Sequence, residues 1–164
     1  MKKLLITTFL IALAIISYSQ EQTTFILVRH AEKALDGTNN PPLSEAGLKR
    51  ANDLAALLAN QDIDALYSTP FVRTESTLTP VGRDKGIEVK NYDPYAGTSW
   101  LSDALQKHKG GTIVISGHSN TIPDLANALL GEKKFEQFDE SDYSNLIIIV
   151  TTEVGKGKLV RLKF

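Results

Sequence analysis

Phe25-Ile26-Leu27-Val28-Arg29-His30-Ala31-Glu32-Lys33 is an unbroken apolar run that ends abruptly in a cation and an imidazole. Four apolar residues in succession, with β-branched Ile26 and Val28 among them, predict a strand buried on both faces, the kind found at the centre of a parallel sheet. Arg29 and His30 then stand at its carboxyl end. Open α/β sheets bind ligands along that edge, so both side chains are candidate functional groups by position alone. The ordinary alternative is a solvated strand end that happens to carry a charged pair.

Before this strand, residues 1–19 read as a secretory signal peptide rather than as part of the fold. Lys2 and Lys3 give a basic start, Leu4 to Ile16 an apolar core, and Ser17-Tyr18-Ser19 the small residues of a cleavage site. The apolar part falls short of the roughly 20 residues a spanning helix needs. The expectation is a periplasmic or secreted domain over 20–164, without stable membrane association after cleavage; an uncleaved anchor is the alternative. The chain has no cysteine, so it has neither a disulfide nor a thiol for lipid attachment. Its 18 Lys plus Arg against 19 Asp plus Glu are scattered, with no basic stripe of the kind a nucleic-acid backbone requires.

After the opening strand, Asp36-Gly37, Asn39-Asn40 and Pro41-Pro42 mark a loop beside Arg29 and His30. Ser44 is placed to cap an amphipathic helix running from about Glu45 to Ala59, with Leu48, Ala51, Leu54, Ala55, Leu57 and Leu58 recurring at spacings of three and four. Ile63–Ser68 reads as a second strand. Phe71 to Lys85 reads as helical, broken where Thr79 can cap a new turn beginning at Pro80. Ile87–Tyr92 is a third strand, Thr98 or Ser99 caps a helix to Lys107, and Thr112–Ile115 is a fourth, buried strand. Thr121–Leu130 is the next helix, Glu132–Asp142 a surface excursion, and Asn145–Thr151 with Lys158–Phe164 a terminal hairpin. Alternation of strand and helix predicts an α/β class: a three-layer α/β/α domain with a mostly parallel central sheet and a C-terminal antiparallel hairpin.

In such a sheet the strand ends bring Arg29, His30, Arg73, Asp93 and His118 to one side. Each has a plain structural alternative: a surface ion pair for Arg73, a core histidine for His118, a pre-proline turn for Asp93. Taken together they suit phosphoryl transfer through a histidine. A neutral imidazole is a nucleophile at physiological pH, and guanidiniums match the geometry of phosphoryl oxygens. A carboxyl is then needed to protonate the departing oxygen.

Val28-Arg29-His30, Ser68-Thr69-Pro70-Phe71-Val72-Arg73-Thr74-Glu75-Ser76-Thr77 and Ser116-Gly117-His118-Ser119-Asn120-Thr121 together resemble the three signatures of the histidine phosphatase superfamily, also called phosphoglycerate mutase-like. Pro42-Leu43-Ser44 with Gly47, and Asp142-Tyr143-Ser144-Asn145, fall where that family has similar patterns. The resemblance implies that His30 is the phosphorylated nucleophile and that Arg29, Arg73 and His118 form the phosphate pocket. It also implies the small-domain branch, because Ser119 and Asn120 follow the second histidine where the other branch has an acid. Asp93, after the third strand, is the implied proton donor, with Glu32 its rival; Asn120, Glu32 and Asn39 are candidate substrate contacts.

Two departures bear on substrate. Arg-His-Ala replaces the family's Arg-His-Gly, and the short loop between His30 and Leu43 does not match the family's substrate-binding segment; the chain also has no room for the longer insertions with which mutases of the family enclose a bisphosphate. The expectation is a metal-independent, cofactor-free phosphatase for a small phosphomonoester, a sugar or envelope-component phosphate among them. Alternatives are a protein phosphohistidine phosphatase, or a phosphate-binding module with little turnover. Two histidines flanked by two arginines are a poor metal site, which ordinarily takes three protein ligands. His108, between Lys107 and Lys109, reads as a solvated cation at a helix end.

Overall fold

The computed structural model describes residues 21–164, so the signal-peptide segment lies outside the described residues. The chain runs β1 (Thr23–Arg29), α1 (Glu45–Leu57), β2 (Ala65–Ser68), α2 (Val72–Lys85), β3 (Val89–Asn91), α3 (Trp100–Lys107), β4 (Thr112–Gly117), α4 (Thr121–Leu130), β5 (Asn145–Thr151) and β6 (Lys158–Lys163). Six strands form one sheet in the order β3-β2-β4-β1-β5-β6. Strands β3, β2, β4 and β1 are mutually parallel, and β5 and β6 pair antiparallel at the other side. Among the described residues, no helix is long and apolar enough to cross a membrane.

The opening strand is central, as its unbroken apolar run requires: Leu27 lies opposite Ile115 of β4 on one side and Ile147 of β5 on the other. Its residues alternate between two cores. Ile26 and Val28 pack with Leu54 and Leu58 beside α1 and with Leu78 and Val81 of α2. Phe25 and Leu27 pack with Leu101 of α3 and Ile122, Leu125 and Leu129 of α4. A strand feeding two helical layers makes a three-layer α/β/α domain and leaves its carboxyl end as the place where Arg29 emerges.

Ser44 caps α1 as expected, its hydroxyl accepting the Gly47 N–H at 3.1 Å. Four local expectations need correction. Helix α2 is continuous through Pro80, and Thr79 does not cap: its hydroxyl donates back to the Glu75 carbonyl at 3.0 Å, as a mid-helix threonine does. Strand β3 is shorter than Ile87–Tyr92, as befits an edge strand with one partner. Ser99 is itself helical and makes no capping bond. His108 is not a solvated cation. Its Nε2 lies 3.1 Å from the Tyr67 hydroxyl, and burial, followed by the charges of Lys107 and Lys90, pushes its pKa down.

The stretch Glu132–Asp142 is more than a surface excursion. Phe135 and Phe138 are buried in the core beside α4, and the Asn127 side chain holds the backbone of Lys134 and Phe135. The Phe138 N–H donates to the Ser119 carbonyl at 2.9 Å. Pinned in this way, the segment passes over the carboxyl ends of β1 and β4.

Candidate active site

Strand β1 ends where its ladder with β4 ends, and the His30 N–H still reaches the Gly117 carbonyl at 2.8 Å. That register sets His30 and His118 side by side. Their ring centroids are 5.5 Å apart in an edge-on arrangement. Each ring is oriented by the chain around it. His30 Nδ1 lies 2.7 Å from the Ala31 carbonyl oxygen. A carbonyl only accepts, so Nδ1 carries the proton and Nε2 keeps its lone pair. The Ala31 N–H donates to Thr77 Oγ1 at 2.9 Å, which ties this turn to α2.

His118 is held from three sides. Its backbone N–H donates to Thr121 Oγ1 at 2.9 Å, its Nε2 lies 3.0 Å from Thr69 Oγ1, and its ring meets Phe71 edge-on at 5.0 Å. The Thr69 hydroxyl in turn donates to Thr74 Oγ1. Arg73 stacks its guanidinium 4.6 Å above the Phe71 ring, so helix α2 delivers the second cation beside the second imidazole.

Both imidazoles are neutral at physiological pH. Burial is the main cause and the neighbouring guanidiniums add to it; His30 is lowered to about 3 and His118 to about 4. The Ala31 hydrogen bond opposes the shift at His30, as the Glu140 charge does at His118.

Arg29 is almost fully buried and is clamped rather than free. Its Nη1 donates to the carbonyl oxygens of Asp139, Glu140 and Asp142 at 3.0, 2.9 and 3.3 Å, and the Tyr143 ring lies 4.3 Å from its Cζ. Nη2 reaches Glu140 Oε2 at 2.6 Å, and Nε is buried without a partner. Only Nη2 and Nε therefore face anything other than the chain's own backbone. The other Glu140 oxygen takes a short hydrogen bond from the Ser119 hydroxyl.

The structure thus brings Arg29, His30, Arg73 and His118 together. The remaining candidates stand apart. The Asp93 carboxylate accepts the Tyr95 N–H at 2.8 Å on an exposed turn, and no hydrogen bond joins it to either histidine. Glu32 is held by Arg50, whose Nε and Nη2 reach it at 2.8 to 3.0 Å. Burial pushes that carboxyl up, but the Arg50 contacts outweigh it and the net shift is down. Asn120 is exposed at the start of α4, and Asn39 is exposed in the loop; its neighbour Asn40 accepts the Val72 N–H at 3.0 Å. Glu140 and Tyr143, which the site contains, lie on or just after the polar run assigned to the surface. The pair Phe135 and Phe138 inside that run was the available signal, because apolar residues three apart in a polar segment anchor it to a core.

Comparison with known proteins bears on the fold and on the segment that carries β1 and the start of α2. Residues 25–94 match the model of the histidine phosphatase superfamily, branch 1. Phosphoserine phosphatase 1 of Hydrogenobacter thermophilus is 39% identical over 74 residues, a stretch covering 42% of this chain and only 35% of that enzyme. Among solved structures, the protein histidine phosphatase SixA complexed with tungstate superposes with a TM-score of 0.70 at 19% identity, over 85% of this chain and 96% of the other. A phosphoserine phosphatase from Entamoeba histolytica, in complex with 3-phosphoglyceric acid, gives 0.67 at 17% identity, over 87% and 97%. At those identities the superpositions speak for the shared fold. The matched segment contains β1 with Arg29 and His30 and the start of α2 with Arg73, so over residues 25–94 the chain is similar to the histidine phosphatase superfamily, branch 1.

Proposed function

We propose that the protein is a phosphatase that hydrolyses a small phosphomonoester through a phosphohistidine on His30, without a metal ion. One observation carries this: the Nδ1–H of His30 is committed to the Ala31 carbonyl, which leaves an Nε2 lone pair beside two guanidiniums and a second imidazole. The pair on Nε2 attacks phosphorus while the P–O bond breaks, and the leaving oxygen takes a proton. Water then attacks the phosphoryl group, the P–N bond breaks, and its electron pair returns to Nε2. Arg73 and Nη2 of Arg29, once it turns from Glu140, neutralise the phosphoryl oxygens, in the way guanidiniums serve phosphate.

The names of the similar proteins, phosphoserine phosphatases and a protein histidine phosphatase among them, favour a panel of small phosphomonoesters, with a phosphohistidine peptide beside them. Wild type should release phosphate from at least one member and trap an acid-labile phosphoryl label. His30→Ala should do neither. Turnover that survives this substitution overturns the proposal. Export is the companion inference from residues 1–19, and a processed amino terminus in a periplasmic or culture fraction is its expected result.

A further inference from the structure

We infer that Glu140 is the carboxyl that gives the proton to the leaving oxygen and takes one back from the attacking water. The inference rests on phosphoryl transfer through His30 and adds the group that this chemistry lacks. Glu140 comes from the 132–142 segment, not from the end of β3.

Its place is fixed by its two carboxylate contacts. One oxygen meets Arg29, the residue before the first histidine; the other meets Ser119, the residue after the second. The carboxyl therefore spans the two strand ends that carry the imidazoles. The two other acids considered are committed elsewhere: Glu32 to Arg50, Asp93 to the Tyr95 N–H. Within the segment itself, the Asp139 side chain holds Ser141, and the Asp142 side chain holds Ser144, Asn145 and Lys163. Glu140 alone of these five has its carboxylate on groups adjoining both histidines.

The contact with Arg29 also explains how a carboxylate becomes an acid when it is needed. Without substrate, the Ser119 hydroxyl and then Arg29 and Lys33 favour the ionised form against partial burial. Arg29 is held because three backbone carbonyls grip Nη1, whereas the Glu140 side chain is 64% exposed and held by side-chain contacts alone. An arriving phosphoryl dianion competes for Nη2. Once Nη2 turns to phosphate, Glu140 has lost its cation and gained an anionic neighbour, and both changes raise its affinity for a proton. The proton enters from solvent, passes to the leaving oxygen as the P–O bond breaks, and is replaced by one from the water that cleaves the P–N bond. A phosphoryl group thus recruits its own acid.

The test compares leaving groups. p-Nitrophenyl phosphate departs without help, while an alkyl phosphate such as glycerol 2-phosphate needs a proton. In the full-length protein, Glu140→Gln should slow cleavage of the alkyl ester by about 10²-fold or more. It should leave the pre-steady-state burst of p-nitrophenol within about three-fold of wild type, the uncatalysed departure of a good leaving group being the reason. Slow decay of the trapped phosphoenzyme should accompany it, and Glu140→Asp should recover part of the alkyl rate. Equal losses on both esters would assign Glu140 to positioning Arg29 and overturn the inference, as would no loss on either. Leaving-group dependence in Asp93→Asn would overturn it in favour of Asp93. Failure of the underlying chemistry reads out separately, because His30→Ala would then still form product from p-nitrophenyl phosphate.

Discussion

His30 Nδ1 and the carbonyl oxygen of Ala31 are neighbours in the chain and hydrogen-bonded at 2.7 Å, so the ring of the proposed nucleophile is oriented by its own backbone. The bond fixes the tautomer, and burial keeps the ring neutral. The same burial links stability to pH. In the unfolded chain both histidines take up a proton near the ordinary value of about 6.5. In the folded chain His30 resists until about 3 and His118 until about 4. Between these limits the unfolded state binds more protons, so stability is full above about pH 6.5 and falls as pH falls toward about 4. Urea midpoints should be level from pH 8 to 7 and decline below that. His118→Asn should make the decline shallower, and an unchanged slope would contradict the assignment.

Thr77 joins the His30–Ala31 turn to α2 by accepting the Ala31 N–H at 2.9 Å and donating to the Arg73 carbonyl at 2.7 Å. Both Thr77 and Ala31 are buried. Thr77→Val keeps the volume and strands a buried N–H, which costs about 1–3 kcal/mol. Denaturant unfolding should show that loss. Activity should fall further than folded fraction explains, because the freed turn carries His30.

Central position and class were legible from β1 because four apolar residues in a row have no other comfortable place in a sheet of this kind. The pairing of Arg29 with His30, and their meeting with Arg73 and His118, followed from strand ends sharing one edge. Glu140 was not legible in the same way. It lies in a polar run without periodicity, and what brings it to the site is tertiary: Phe135 and Phe138 in the core, Asn127 on the backbone, and the grip of Arg29 on three carbonyls. His108 was misread for a related reason, since its partner Tyr67 is 41 positions away in sequence. Local pattern reports which face a residue takes; it does not report which distant group waits there.

Gly47 is where α1 passes against the backbone of Glu32, just after His30 and Ala31. A Cβ built there would sit 2.1 Å from the Glu32 carbonyl oxygen, and that carbonyl also accepts the Ser44 N–H at 2.9 Å. The obstacle is backbone, so it cannot swing aside. Gly47→Ala should therefore destabilise the fold by about 1–3 kcal/mol, as overpacking does, and lower activity by displacing residues 31 and 32. A melting curve and a progress curve on the same preparation check both.

Among the described residues, no group of three or more His, Cys, Asp and Glu side chains stands together as a metal site. In the proposed reaction the guanidiniums of Arg29 and Arg73 supply the positive charge. Prolonged treatment with a chelator, followed by assay in chelator, should leave turnover unchanged; loss restored by one added divalent ion would contradict metal independence.

The two arginines of the pocket should separate in their effect on stability. Arg29 donates to three carbonyls and to Glu140, and it packs on Tyr143, so it holds the 139–142 segment over the sheet. Arg73 packs on Phe71, its Nε is buried without a partner, and burial followed by the charge of Arg29 lowers its pKa. A cation so placed is retained against the preference of the fold. Arg29→Met should lower stability by about 2–3 kcal/mol, the range for hydrogen bonds to a charged donor. Arg73→Met should leave stability unchanged or raise it, because it removes an unpaired buried N–H and a like-charged neighbour. Both should reduce kcat/KM by about 10²-fold or more, the loss typical of a missing donor to transition-state charge. Unfolding curves and kinetics on the pair decide this, and equal destabilisation by both would show that Arg73 also holds the fold.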